Sequence, residues 1–216
     1  MIVALYGPDG SGKSTAASVL AEHGWNTFVG TDTSTWPDQE WHDQLTASGE
    51  SEPVRYAHFL EKAERGYTLA QQLVDRRPTV PVAIDSSVPH KTLMHILANV
   101  AGSNPARIDR LLRQHFERFA GVAKFATRNV VHVGFSVSAI TNPLEQAREL
   151  QGRLERRPGR SAFDPTTVQV SYDHVRACAA LTDFLRAQEQ PVVEVVTDRP
   201  FNYDQFQIAL NGLVSL

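Results

Sequence analysis

Short apolar runs, each cut off by a turn-forming or charged residue, recur along the chain. Ile2 to Tyr6 stops at Gly7, Val82 to Ile84 ends in Asp85, Val130 to Phe135 is broken only by His132 and Gly134, and Val192 to Val196 is the last. Asn26 to Val29 reads as a further short strand. Their apolar character is continuous rather than alternating, which marks strands buried on both faces of a parallel sheet.

Helical spacing fills the intervals. Ser14 to His23 carries good helix formers and ends at Gly24. From Val54 to Val74, after Pro53, apolar residues recur at Ala57, Phe59, Leu60, Ala63, Leu69, Ala70, Leu73 and Val74. Ile108 to Phe119 places Leu111, Leu112, His115, Phe116 and Phe119 on one side. Pro143 to Leu154, interrupted near Pro158-Gly159, Tyr172 to Ala187, and Tyr203 to Leu213 are the remaining expected helices, and Trp36-Pro37 opens another. Alternating strands and helices predict an α/β fold with a parallel sheet and helices on both faces. No repeat, low-complexity segment or linker interrupts it.

A length of 216 residues, 42% of them hydrophobic, suffices for one buried core and makes a single domain over residues 1–216 the expectation. The formal charge of −3 gives no global reason to expect a nucleic-acid partner, leaving only a local basic patch as a route to one. With Cys178 as the single cysteine no internal disulfide can form, and it reads as a small apolar residue on a helix face. Without a leader or an apolar run of membrane-spanning length, a cytoplasmic setting is expected and no membrane partner. A homodimer stays open.

The chemistry concentrates in Gly7-Pro8-Asp9-Gly10-Ser11-Gly12-Lys13-Ser14-Thr15. A triphosphate needs several donors at close range, and backbone N–H groups reach it only where side chains leave room. Gly7, Gly10 and Gly12 provide that room around Asp9 and Ser11. The following helix adds unpaired N–H groups from Lys13 to Thr15, Lys13 brings an ammonium to the outer phosphates, and the Ser14 hydroxyl can ligate magnesium. The pattern G-x-x-x-x-G-K-[ST] lies between an apolar strand and a helix, the context such a loop requires. ATP with Mg2+ is the expected ligand.

This version of the loop resembles that of thymidylate kinases and the wider nucleoside monophosphate kinase group, whose loops often read G-x-D-G-[AS]-G-K-[ST]. The resemblance extends to the order of parts: Arg65 precedes the strand ending at Asp85, and Arg153, Arg156, Arg157 and Arg160 follow the strand from Val130 to Phe135. It implies a P-loop kinase fold with an arginine-rich lid and ATP-dependent phosphorylation of a nucleotide substrate, most simply a deoxynucleoside monophosphate. Arg65 would hold the acceptor phosphate, and Lys13 with Arg153, Arg156 or Arg157 would act on the transferred group. Three departures exist. Ser86 stands where the family has an arginine, Glu61 where it has a base-stacking phenylalanine, and Thr31-Asp32-Thr33 where it has Arg-Glu-Pro. Thymine specificity therefore does not carry over.

Other candidates keep two readings each. Asp9 is repelled by phosphate, so it either meets the sugar 3′-hydroxyl of the acceptor, as the resemblance implies, or shapes the turn after Pro8. Asp85, at the carboxyl end of a strand, is either a magnesium and substrate ligand or a helix N-cap or loop carboxylate, and Asp32 occupies a comparable place. The arginines from Arg153 to Arg160 recur at one-turn spacing and are either a lid or solvated surface. His90 and His95 lack metal-ligand spacing, while Trp36 and Trp41 divide between base stacking and core. Two rival functions remain: a P-loop kinase acting on a nucleoside or on a modified base in DNA, which would call for a basic channel, and an ATPase or nucleotide switch.

Overall fold

The computed structural model describes residues 1–29, 68–85, 106, 110, 113, 130–137, 140–158, 165–197 and 201–214. Within them lie strands β1 (Ile2–Tyr6), β2 (Asn26–Val29), β3 (Val82–Asp85), β4 (Val130–Ser136) and β5 (Val192–Val196), and helices α1 (Lys13–Glu22), α2 (Pro143–Arg156), α3 (Val168–Ala187) and α4 (Tyr203–Val214). Residues 68–76 are also helical, as the spacing up to Val74 predicts, and so are Ala106, Arg110 and Arg113. The rest of the expected helices from Val54 and from Ile108, and the one at Trp36-Pro37, lies outside the described residues.

All five strands run parallel in the order β2-β3-β1-β4-β5. The central strand, β1, aligns Ile2 with both Val82 and Val130. Its residues are buried throughout, as are those of β3. β5 is an edge strand, and Val196 near its end is 51% exposed.

Side chains alternate between the two faces, so each face gathers its own core. On one, Val3, Leu5, Ala83, Val131, Val133 and Phe135 pack with Ala16, Ala17 and Leu20 of α1 and with Phe206 and Leu210 of α4. Leu5, Leu20 and Leu210 are wholly buried, and truncating one such leucine to alanine costs about 2–5 kcal/mol. An aromatic group ties α4 to the far end of α1: His23 stacks on Tyr203 with centroids 3.8 Å apart, and Trp25 Nε1 donates to the Tyr203 hydroxyl at 3.2 Å.

On the other face Tyr6 packs against Ala177, Cys178, Leu181 and Leu185 of α3. α2 lies against α3, with Leu150 and Val175 meeting beside Val137 and the Ser171 hydroxyl donating to Gln151 Oε1 at 3.2 Å. Burial sets the chemistry here. It pushes the Cys178 thiol up to about 12, in keeping with a packing role, and holds the His132 imidazole down at about 4. No helix among the described residues is long and apolar enough to cross a membrane.

Helix ends follow local chemistry. Asn142 Oδ1 accepts from the Leu144 and Glu145 N–H groups at the start of α2, beside Pro143 in the first turn. α3 begins at Val168 rather than at Tyr172, because Thr167 Oγ1 accepts from Val170 N and adds a polar first turn.

Candidate functional site

The segment after β1 leaves the carboxyl edge of the sheet at its centre, where parallel α/β sheets place their ligands. The strand end that launches it is pinned. Thr182 Oγ1 donates to the Cys178 carbonyl at 3.0 Å, so the Tyr6 hydroxyl donates to Thr182, at 2.7 Å. Desolvation raises the Tyr6 pKa and keeps the phenol neutral.

Gly7 then passes so close to β4 that a Cβ would stand 2.8 Å from the Phe135 carbonyl oxygen and 2.9 Å from Ser11 Oγ. Ser11 N closes the turn on the Pro8 carbonyl at 3.2 Å. Gly12, at φ 91° and ψ 11°, is the N-cap of α1, in the left-handed region where a side chain is strained.

The start of α1 differs from those of α2 and α3 in that no side chain among the described residues caps it. Like α3, it has no acidic residue in its first turn. Its first N–H groups, with the positive end of the helix dipole, face the loop. Ser11 Oγ is fully buried and has no hydrogen-bond partner among the described residues. A concave backbone, an uncapped helix start and a spare buried hydroxyl suit an oxyanion such as phosphate.

Lys13 lies over the same loop. Its side chain is largely buried, and Nζ donates to the Gly7 carbonyl at 2.8 Å and the Pro8 carbonyl at 2.9 Å. Asp9 Oδ1 is 3.9 Å from that ammonium. The aspartate thus faces a cation of its own loop, which the sequence does not reveal and which offsets its repulsion of phosphate. Ser14 and Thr15 are exposed on the first turn of α1, and Asp85 is buried at 4% exposure at the end of β3, in register with Val29 of β2.

α2 closes one side. Gly10 approaches it so that an added Cβ would lie 3.3 Å from the Leu150 carbonyl oxygen and from Leu154 Cγ. On α2, Arg153 Nε donates to Glu149 Oε1 at 3.0 Å, and Arg156 Nη2 stands 3.8 Å from the same oxygen. Arg153 and Arg156 thus share one side of α2, and the helix ends before Arg157. Arg157 is the C-cap with φ −75° and ψ 127°, the extended geometry that the following Pro158 imposes. Arg65, Asp32, Arg160, Ser86, Trp36, Trp41, His90 and His95 lie outside the described residues.

Two residues that sequence reasoning passed over belong to this surround. Glu149 bridges two arginines. Thr197, just past β5, donates its hydroxyl to the Ser136 carbonyl at 3.0 Å and meets Arg153 Nη1 at 3.4 Å. Its place at the carboxyl end of a parallel strand was the available signal. Among the described residues no group of three or more His, Cys, Asp or Glu side chains could hold a metal ion.

No family model matches the chain, and no curated protein matches it. Solved structures do resemble it. A thymidylate kinase from Candida albicans shares 15% identity, covering 99% of this chain and 90% of that one, with a TM-score of 0.61. A deoxyadenosine kinase from M. mycoides with bound dATP shares 12% identity over 99% of both chains, at a TM-score of 0.54, and the same enzyme with bound dCTP shares 14% over the full length of both, at 0.53. Likeness at such low identity speaks to architecture: the chain has the P-loop kinase fold.

Proposed function

We propose that the protein transfers the γ-phosphoryl group of ATP to a nucleotide, most simply a deoxynucleoside monophosphate, within a single domain. The observation that carries the reading is the convergence of an uncapped α1 start, the glycine-lined turn and the Lys13 ammonium at the centre of the carboxyl edge of the sheet. Phosphoryl transfer asks little covalent chemistry of a protein and much positioning and charge stabilisation. The loop amides and Lys13 hold the donor phosphates. Arg153, placed beside the loop, meets the bound donor, and the more exposed Arg156 and Arg157 act on charge that develops during transfer.

Magnesium bound with the nucleotide would neutralise charge on the donor oxygens, and in this reading the Ser14 hydroxyl and the Asp85 carboxylate would hold it, directly or through water. Asp9 serves the acceptor sugar while tempering Lys13, and Arg65 holds the acceptor phosphate.

A nucleoside acceptor is the second reading, supported by the likeness to a deoxyadenosine kinase. Screening nucleoside monophosphates and nucleosides for acceptor-dependent ADP formation tests both. ADP release at one rate whatever acceptor is added would sink the transferase reading in favour of an ATPase or switch.

A further inference from the structure

We infer that Thr197 is a positioning residue that sets the Arg153 guanidinium against the phosphate loop, an inference that rests on the nucleotide-binding reading above. Thr197 is anchored first. Its backbone N–H and its hydroxyl both donate to the Ser136 carbonyl, each at 3.0 Å, which fixes the residue to the end of β4. A threonine hydroxyl has one proton, and that proton is committed. The 3.4 Å contact with Arg153 Nη1 is therefore one in which Thr197 accepts.

The rest of the side chain faces the loop. Thr197 Cγ2 lies 3.7 Å from where a Cβ on Gly12 would stand, so its methyl closes on the residue that starts α1. One side chain thus meets the end of β4 and the arginine of α2, with its methyl over the open side of the α1 N-cap. Glu149 takes the Nε of the same guanidinium at 3.0 Å, so the planar group is held from two directions. These contacts engage two of its N–H donors and leave the others without protein partners among the described residues.

An unrestrained arginine would lose much rotamer freedom on meeting a phosphate. One already held by a group from another part of the chain loses less, and the saving appears as affinity. Glu149 alone cannot supply this, because it rides on the same helix as Arg153. Thr197 is fixed to the sheet from which the loop departs, so it relates the arginine to the loop itself.

The test measures ATPγS affinity by titration calorimetry for the wild-type protein, Lys13→Ala, Thr197→Val, Thr197→Ser, Arg153→Gln, Arg153→Lys and the Thr197→Val/Arg153→Gln double variant. Valine keeps the branched shape and the methyl toward Gly12 but loses the acceptor. Thr197→Val is expected to weaken binding about three- to tenfold, with Thr197→Ser recovering most of that loss. The double variant should bind no more weakly than Arg153→Gln alone, since Thr197 acts through the arginine. Arg153→Lys provides an arm independent of how Thr197 variants fold: a lysine lacks the fork that two partners can hold, so it should lose nearly as much as Arg153→Gln. Wild-type affinity in Thr197→Val, losses that add in the double variant, or a lysine that replaces Arg153 at no cost would each overturn the role. Binding as tight in Lys13→Ala as in the wild type would place the ligand outside the loop and overturn the site reading together with this one.

Discussion

Replacing Gly7 by alanine should damage the fold far more than the same change at Gly12, and the difference can be worked from the geometry. At Gly7 a Cβ would stand 2.8 Å from the Phe135 carbonyl oxygen, 2.9 Å from Phe135 Cβ and 2.9 Å from Ser11 Oγ, at a φ of 153°. The backbone oxygen belongs to a strand paired on both sides and cannot yield without moving the sheet. Overpacking of this kind costs about 1–3 kcal/mol, and a side chain in so glycine-specific a conformation about 1–3 more, so roughly 2–6 kcal/mol in all. At Gly12 the nearest atom to a Cβ is Thr197 Cγ2 at 3.7 Å, an ordinary contact, so only left-handed strain of about 1–2 kcal/mol remains. For a domain of this size each kcal/mol shifts the midpoint by roughly 2–4 °C. Thermal melts should then fall by roughly 5–20 °C for Gly7→Ala and by no more than about 8 °C for Gly12→Ala, with urea midpoints in the same order. Equal losses, or a Gly7→Ala protein as stable as the wild type, would refute the packing of the loop against β4.

Lys13→Ala should abolish ATP-dependent transfer and also cost about 1–3 kcal/mol in denaturant unfolding, because the carbonyls of Gly7 and Pro8 lose their donor. Arg156→Gln and Arg157→Gln should lower single-turnover rates more than ATP affinity, and equal losses would make these exposed arginines plain surface charge. Asp9→Asn should weaken a 3′-hydroxyl acceptor more than its 3′-deoxy analogue; an equal effect on both would leave only its turn and its contact with Lys13. Acid should destabilise the protein through His132. Burial lowers its pKa from the ordinary 6.5 to about 4, so the unfolded chain takes up a proton that the folded chain refuses. Its contribution is intact above pH 6.5, declines by about 3 kcal/mol as pH falls toward 4, and is flat below. His132→Gln should flatten that segment of the denaturation-versus-pH curve, and an unchanged slope would rule the residue out.

β1, β3 and β4 were legible because each is a largely apolar run with an abrupt stop, the pattern that burial on both faces favours. The loop was legible because its chemistry is local: glycine spacing, lysine and hydroxyl are adjacent in the chain. Boundaries went astray where polar residues lead a helix. Gln169 and Ser171 hide the first turn of α3, although Thr167 was a readable cap. Arg157 was readable too, since the residue before a proline is steered out of helix. The contacts of Lys13 with its own loop carbonyls, and the meeting of Thr197 with Arg153, were not readable. They depend on how the loop curls and on a strand end reaching a helix far earlier in the chain, and no periodicity encodes either.

The central position of β1 has a consequence for synthesis. This strand leaves the ribosome before both of its neighbours, yet Ile2 finds its partners only at Val82 and Val130. Pairings so distant in sequence close slowly. Until β4 has emerged, a nascent chain carries β1 with at least one open edge, and its phosphate loop lacks the Phe135 carbonyl on which Gly7 rests. Fragments released before residue 130 should accordingly be sticky and unable to hold nucleotide, which makes a chaperone able to shield an apolar strand edge the natural companion of the growing chain.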